Sequence, residues 1–265
     1  SAPQVDTPAT DTVSVFVAEP ESPIAPRLAA GKWHNAYLRS DKSLTMWGWG
    51  GYGQTGDGTL VSALIDVDAA NRHTLVVAES GEVFAFGENA LVDTSSPTPV
   101  PGAANVVQVA AMAQGAMVES AAGNSHGCGI DENGSAWGWG SRFGCVPRTV
   151  LDGVVSVAAG NTDLCLFVGD DATAWGIGFN LHGQLGNGTT VSNYNTATQV
   201  AGIGNVVAVA AGDRHSMFLT NDGSLWASGW NRYCQLGLES EIDPASPLYG
   251  FTVMAPVQLS LQDVV

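Results

Sequence analysis

Val206-Val207-Ala208-Val209-Ala210-Ala211-Gly212, His215-Ser216-Met217-Phe218-Leu219-Thr220, Asn221-Asp222-Gly223 and Ser224-Leu225-Trp226-Ala227-Ser228-Gly229 follow one another almost without interruption. Three β-rich runs are divided by a small-residue corner and by an Asp-Gly turn, which predicts one strand followed by a hairpin. Asp-Gly between strand-like runs predicts a tight primed turn with positive φ. The unit recurs. Its corner returns as Ala30-Gly31-Lys32-Trp33-His34, Ala69-Ala70-Asn71-Arg72-His73, Ala122-Gly123-Asn124-Ser125-His126 and Ala159-Gly160-Asn161-Thr162-Asp163. Its aromatic-Gly strand returns as Met46-Trp47-Gly48-Trp49-Gly50, Phe84-Ala85-Phe86-Gly87, Trp137-Gly138-Trp139-Gly140 and Trp175-Gly176-Ile177-Gly178.

A unit of this size cannot bury its apolar face alone, so neighbouring units must pack on one another. The corners lie at positions 31, 70, 123, 160 and 212, and residues 25–265 shared among five units average roughly 48 each, which suits a four-stranded propeller blade. The expected fold is all-β: a five-bladed β-propeller of antiparallel strands spanning residues 25–265, after a flexible lead-in over residues 1–24. Within that lead-in, Asp11–Val17 alternates and is a candidate edge strand. The C-terminal run Gln258–Val265 resembles the lead-in before Ala159-Gly160. It is expected to join the N-terminal segment and close the ring, removing exposed sheet edges.

Composition agrees with a turn-rich β protein: 45% hydrophobic residues, only 13% charged, and 33 glycines. No run approaches the ~20 apolar residues of a membrane-spanning helix. A net charge of −16 with nine scattered Lys and Arg argues against nucleic acid. Four cysteines, at 128, 145, 165 and 234, show no metal-ligand spacing. Cys128 and Cys165 share a column with Ala36, Leu75 and Met217 and read as small buried hydrophobes. Cys145 and Cys234 fall in loops and read as the better bridge candidates.

His34, His73, His126 and His215 share one column, with Asp163 in the remaining place. Each ring is expected to bond backbone of the next blade rather than a metal. Trp47, Phe84, Trp137, Trp175 and Trp226, with Trp49, Phe86 and Trp139 two residues on, are expected to fill the space between blades. No cofactor, phosphate-binding loop or nucleophile motif is found, and the chain reads as non-enzymatic. Carboxylates such as Asp66, Asp68, Glu82 and Glu88 are weak candidates for an acid–base pair.

The residue two after each corner and the tip of the loop after each aromatic strand should meet at one end of the ring. The first position supplies Trp33, Arg72, Ser125, Thr162 and Arg214; the second supplies Tyr52, Arg142, Phe143, His182, Arg232 and Tyr233, with Phe179 and Trp230 at the loop bases. Trp, Tyr and Arg dominate binding hot spots. This set is therefore the candidate partner-binding face: Trp33, Tyr52, Arg72, Arg142, Phe143, His182, Arg214, Trp230, Arg232 and Tyr233.

Ala-Gly-x-x-His, an apolar strand, Asp-Gly, an aromatic-Gly strand and Gly-Gln-Leu-Gly together resemble the repeat of the regulator of chromosome condensation superfamily, best at 211–237 and 174–189. The resemblance implies a β-propeller. The founding members have seven blades and act as nucleotide-exchange factors on a small GTPase, a role not expected of this acidic, shorter chain. Compact bacterial members resemble it more, and their β-lactamase-inhibiting representatives bind an enzyme through one aromatic-rich ring face. The function expected is that of a secreted or periplasmic propeller binding a protein partner, with a carbohydrate-binding propeller as the alternative.

Overall fold

The computed structural model describes residues 13–15, 24–58, 63–88, 93–112, 126–140, 144–161, 163–238 and 252–259. These form five four-stranded antiparallel sheets, and among the described residues no helix is long and apolar enough to cross a membrane. The second blade shows the pattern: β5 (Leu64–Ala69), β6 (His73–Ala78), β7 (Val83–Glu88) and β8 (Asp93–Pro99) pair in chain order. The third uses β9 (Val106–Met112), β10 (His126–Asp131), β11 (Ala136–Gly140) and β12 (Gly144–Leu151). The fourth uses β13 (Val154–Gly160), β14 (Leu164–Gly169), β15 (Ala174–Gly178) and β16 (Asn193–Gln199). The fifth uses β17 (Val206–Ala211), β18 (His215–Thr220), β19 (Leu225–Trp230) and β20 (Thr252–Gln258).

The first blade departs from this order. Its inner three strands are β2 (Arg27–Ala30), β3 (His34–Leu38) and β4 (Leu44–Gly48), and its fourth comes from upstream: β1 (Val13–Val15) pairs antiparallel with β4, Val13 opposite Met46. The alternating run near residue 13 is thus an edge strand, and the first sheet begins well before residue 25. Blade one owns its inner strand, and β20 completes blade five. Residues 260–265, most of the run expected to close the ring, lie outside the described residues.

Cores sit between blades. Ala36, Leu38, Leu44 and Met46 of blade one pack with Leu64, Val76 and Phe86 of blade two. Leu75, Val77 and Ala85 of blade two meet Val106, Val109 and Trp139 of blade three. Equivalent clusters join blades three and four, and four and five. A second link lies at the hairpin turns, where the first N–H of an inner strand donates to the preceding blade's turn: Val106 to Gly81 O, Val154 to Gly134 O and Val206 to Ala172 O.

Those turns differ from the expected primed type. Gly81, Gly134 and Gly223 do take positive φ, but each follows the two central residues and donates its N–H to the residue three before it. This is a type I turn closed by a left-handed residue, the usual three-residue hairpin solution. The Asp side chain supports it, since Asp222 Oδ1 accepts the Ser224 N–H at 2.9 Å. In the two turns without Gly, Lys42 (φ 64°) and Ala172 (φ 61°) occupy the left-handed place.

Cys128 and Cys165 are joined by a disulfide across the interface between blades three and four, with Cα atoms 6.5 Å apart. The sequence column correctly marks both as fully buried. It fails to show that equivalent positions on adjacent blades approach within bridging distance. Cys234, read as a bridge candidate, is a free thiol, and the side chain of Cys145 lies outside those described.

The inner strands of all five blades line one central cavity of about 340 Å³. Asp66 and Asp68 of β5 lie there. Asp66 Oδ2 accepts the Val109 N–H at 2.8 Å, Asp68 Oδ2 accepts the Ala111 N–H at 2.8 Å, and Arg27 Nε stands 3.4 Å from Asp66 Oδ1. Both carboxylates tether neighbouring inner strands, satisfying N–H groups that have no sheet partner. That structural use leaves little of either for acid–base chemistry.

Candidate functional site

The corner between inner strand and hairpin is built by two glycines. A Cβ on Gly31 or Gly212 would strike the ring of His34 or His215, so the bare α-carbon makes room for the imidazole that follows three residues on. The second glycine ends the aromatic strand: Gly48, Gly87 and Gly229 sit directly opposite His34, His73 and His215. Each has φ between 99° and 116°, and a Cβ there would collide with the carbonyl of Trp33, Arg72 or Arg214. In blades one and five the next residue donates its N–H to that same carbonyl, Trp49 to Trp33 O and Trp230 to Arg214 O, both at 2.8 Å. The side chains of residues 33 and 49, and of 214 and 230, are thereby brought to the same end of the ring.

This register corrects two alignments. Trp47, Phe86 and Trp139 are equivalent, each preceding the strand-ending glycine. Trp49 therefore matches Trp230 rather than the buried Phe86 and Trp139. It is exposed at the rim, whereas a count of aromatic-Gly pairs places it in the core. In blade four the residue opposite Gly178 is Leu164, so the corner there is one residue longer. Asp163, with φ 48°, fills the place of Trp33 and Arg214, its carbonyl accepting the Phe179 N–H. It does not belong to the histidine column.

His34 bonds to the next blade through a side chain, not through backbone. The Thr74 hydroxyl donates to Gln54 O at 2.9 Å, which leaves its oxygen to accept from His34 Nε2 at 2.7 Å. Nε2 therefore carries a proton, and burial pushes the pKa of the ring down to about 4, which favours the neutral form near pH 7. Ser216 repeats the device in blade five, donating to Gln184 O at 2.6 Å. Among the described residues, no group of three or more His, Cys, Asp and Glu is placed to hold a metal. The side chain of His126 lies outside those described.

The rim loops share one internal scaffold. Gln54, Gln184 and Gln235 each turn back so that Oε1 accepts the N–H two residues earlier, from Tyr52, His182 and Tyr233 at 2.8–3.0 Å. Asn180 and Asn231 close the same loops by accepting the N–H of Leu185 and Leu236. With the glutamine fixed beneath it, the tip side chain projects outward.

Two clusters result. In the first, Trp33 and Trp49 lie with ring centroids 4.9 Å apart, Tyr52 meets Trp49 edge-on at 4.9 Å, Arg72 of blade two stacks 4.5 Å over Tyr52, and Lys32 lies 5.3 Å from Trp33. In the second, His182 of blade four stands 5.3 Å from Trp230 and 6.2 Å from Phe179, and Tyr233 meets Trp230 edge-on at 5.5 Å. Arg214 and Arg232 lie 4.9 and 6.0 Å over Trp230. Arg214 Nη1 also donates to His182 Nε2 at 3.4 Å. Burial and then the Arg214 charge hold the His182 pKa below its ordinary value. Trp33 is 50% exposed and Tyr233 71%. Eight of the ten residues expected on this face thus fall in two clusters; Arg142 and Phe143 lie outside the described residues. Lys32 and Trp49 join them unforeseen, and the N–H of Trp49 to Trp33 O is the signal that only pairing register supplies.

Antiparallel blades around a common cavity, with aromatic and cationic side chains gathered on one rim, define a repeat-built β-propeller. A family model for the regulator of chromosome condensation (RCC1) repeat matches residues 27–54 and 206–235, and a second model of that repeat matches 171–219. The chain is a β-propeller of RCC1-like repeats. It is 27% identical to the ultraviolet-B receptor UVR8 of Arabidopsis thaliana, over 80% of this chain and 54% of the receptor. It is 34% identical to human Protein RCC2, over 42% of this chain and 22% of that protein. Its fold resembles that of Prp20p from Saccharomyces cerevisiae, whose crystal structure is described together with binding to Gsp1p and histones. The TM-score is 0.68 at 21% identity, covering 89% of this chain and 65% of Prp20p. Human WBSCR16 gives a TM-score of 0.67 at 20% identity, covering 89% of this chain and 68% of that one. The chain spans about half the length of UVR8 and of the mitochondrial protein RUG3 of Arabidopsis thaliana.

Proposed function

We propose that this propeller is a non-enzymatic binding module that captures a protein partner through the rim carrying Trp33, Trp49, Tyr52, Arg72, His182, Arg214, Trp230, Arg232 and Tyr233. The observation that carries this reading is the pair of exposed aromatic–cation clusters, built from matching positions and held by buried Gln54 and Gln184. Rigid aromatics present large contact area at small entropic cost, and Arg adds a planar donor fork. Structurally similar proteins support the same reading, since Prp20p is described with Gsp1p and histones, and with Kap60. A lectin-like reading requires similar residues in every blade. The residue after the strand-ending glycine is instead Trp49, Glu88, Ser141, Phe179 and Trp230 in turn, which suits one composite surface. Export to an oxidising compartment is part of the proposal, supported by the Cys128–Cys165 disulfide.

The test is a pull-down with the full chain from its native surroundings, followed by affinity measurement on the captured protein. Trp33→Ala, Arg232→Ala and Tyr233→Ala are each expected to weaken capture tenfold or more, with melting temperature changed by only a few degrees. Capture that survives all three changes would place the binding surface elsewhere.

A further inference from the structure

Among the described residues, cations gather on the aromatic rim of an otherwise acidic molecule. The chain carries a net −16 and only nine Lys and Arg, yet four of these, Lys32, Arg72, Arg214 and Arg232, stand over the rings of the two clusters. We propose that the segment this rim receives is an acidic stretch of a protein partner, its Asp and Glu carboxylates meeting ring-stacked cations while its apolar side chains cover Trp33 and Tyr233. The inference rests on the binding reading above and adds the partner's chemistry to it.

Three observations carry it. A guanidinium stacked on an aromatic ring turns its N–H edge sideways, where a carboxylate can accept two parallel hydrogen bonds. Arg72 lies 4.5 Å over Tyr52, and Arg214, which also meets His182 and Asp213, lies 4.9 Å over Trp230. The stack also fixes a long side chain before the partner arrives, which lowers the ordering cost of binding. Among the described residues the acids at the corners and strand ends of this rim are Asp213, 3.4 Å from Arg214 Nε, Asp163 at the fourth corner, and Glu88 after the strand-ending glycine of blade two.

The extent of the cationic surface favours a peptide over nucleic acid. Screening confines each charge to about 8 Å at physiological salt. A long polyanion would leave the rim and run across a surface whose net charge repels it. A short acidic segment with apolar neighbours matches both features of the clusters.

Two synthetic peptides test the proposal with the full chain and tryptophan fluorescence as readout. One alternates Glu and Asp with Leu and Tyr; the other replaces every Glu and Asp by Gln and Asn. The acidic peptide is expected to bind, with Kd rising about tenfold when salt is raised and about tenfold in Arg72→Gln/Arg232→Gln. The neutral peptide is expected to bind at least tenfold more weakly. Equal binding of both peptides would overturn the acidic partner while leaving the binding rim intact. No response to the acidic peptide, tighter binding of single-stranded DNA, or self-association lost in the Arg variant would each overturn it as well. Circular dichroism and melting of the double variant separate lost contacts from lost fold. Insensitivity of the pulled-down partner to Trp33→Ala and Tyr233→Ala is the separate result that removes the rim itself.

Discussion

At Gly31 the missing side chain is what the fold uses. A methyl group there would meet the ring of His34 and the carbonyl of Ala70, a backbone atom of the next blade that cannot move aside cheaply. Gly31→Ala is expected to cost about 1–3 kcal/mol, the range for forced overpacking, measured as a lowered midpoint in urea. An unchanged midpoint would show that His34 can leave its pocket freely. Cys234 presents the converse case. It sits at φ 60° where the matching loops carry Gly53 at 77° and Gly183 at 74°. Left-handed backbone costs a non-glycine residue about 1–2 kcal/mol, partly offset by the greater chain entropy glycine loses on folding. Cys234→Gly should therefore stabilise by about 0.5–1 kcal/mol, and a lower melting temperature would refute this. Ala-Gly-x-x-His was readable because it recurs at fixed spacing. The extra residue in blade four was not, because Asp163 falls by coincidence where the count expects histidine.

The rim loop is the smallest element that behaves as a unit. Thr74 ties it to the following blade, donating to Gln54 O and accepting from His34. Replacing the hydroxyl by methyl leaves both partners unsatisfied in a buried place. Thr74→Val is accordingly expected to cost about 2–3 kcal/mol. Combined with His34→Ala it should cost clearly less than the two single changes added together, as coupled groups require. Strict additivity in that cycle would mean the hydrogen bond is not formed. Strand existence and hairpin order were legible from alternation and turn residues. Turn type was not, because positive φ at Gly is shared by primed turns and by a type I turn ending in a left-handed residue. Trp49 was misplaced for a related reason. Two aromatic-Gly pairs stand two residues apart in Met46–Gly50, and only the pairing of His34 with Gly48 shows which one ends the strand.

Across the whole molecule, acid acts on two opposed groups. Burial holds the His34 pKa near 4, below its ordinary 6.5, so the unfolded chain takes up a proton first as pH falls between these values. Stability then declines, by as much as about 3 kcal/mol over the full window. Burial pushes Asp66 up to about 6 from 3.8, so the folded protein is protonated first between pH 6 and 4, and stability rises. Half-buried His215 adds to the first effect and Asp68 to the second. The native protein should thus lose little stability from these groups between pH 6.5 and 4. Asp66→Asn should expose the histidine effect as a steeper acid decline, read by melting temperature across that range. A parallel decline in both proteins would sink the assignment. The disulfide joins blades three and four across a sequence separation of 37 residues, and closing a loop of that length stabilises by about 4 kcal/mol in the chain-entropy treatment. Reduction should lower the denaturation midpoint by a corresponding amount. No change on reduction would show that the blade interface alone sets the stability. Blade one carries a different consequence, one of order in time. Its outermost strand, Val13–Val15, precedes the strand it pairs with by some thirty residues, whereas the later blades are each assembled from consecutive segments. During synthesis this segment emerges from the ribosome before its seat exists, and stays unpaired until Leu44–Gly48 has been made, ahead of every other blade.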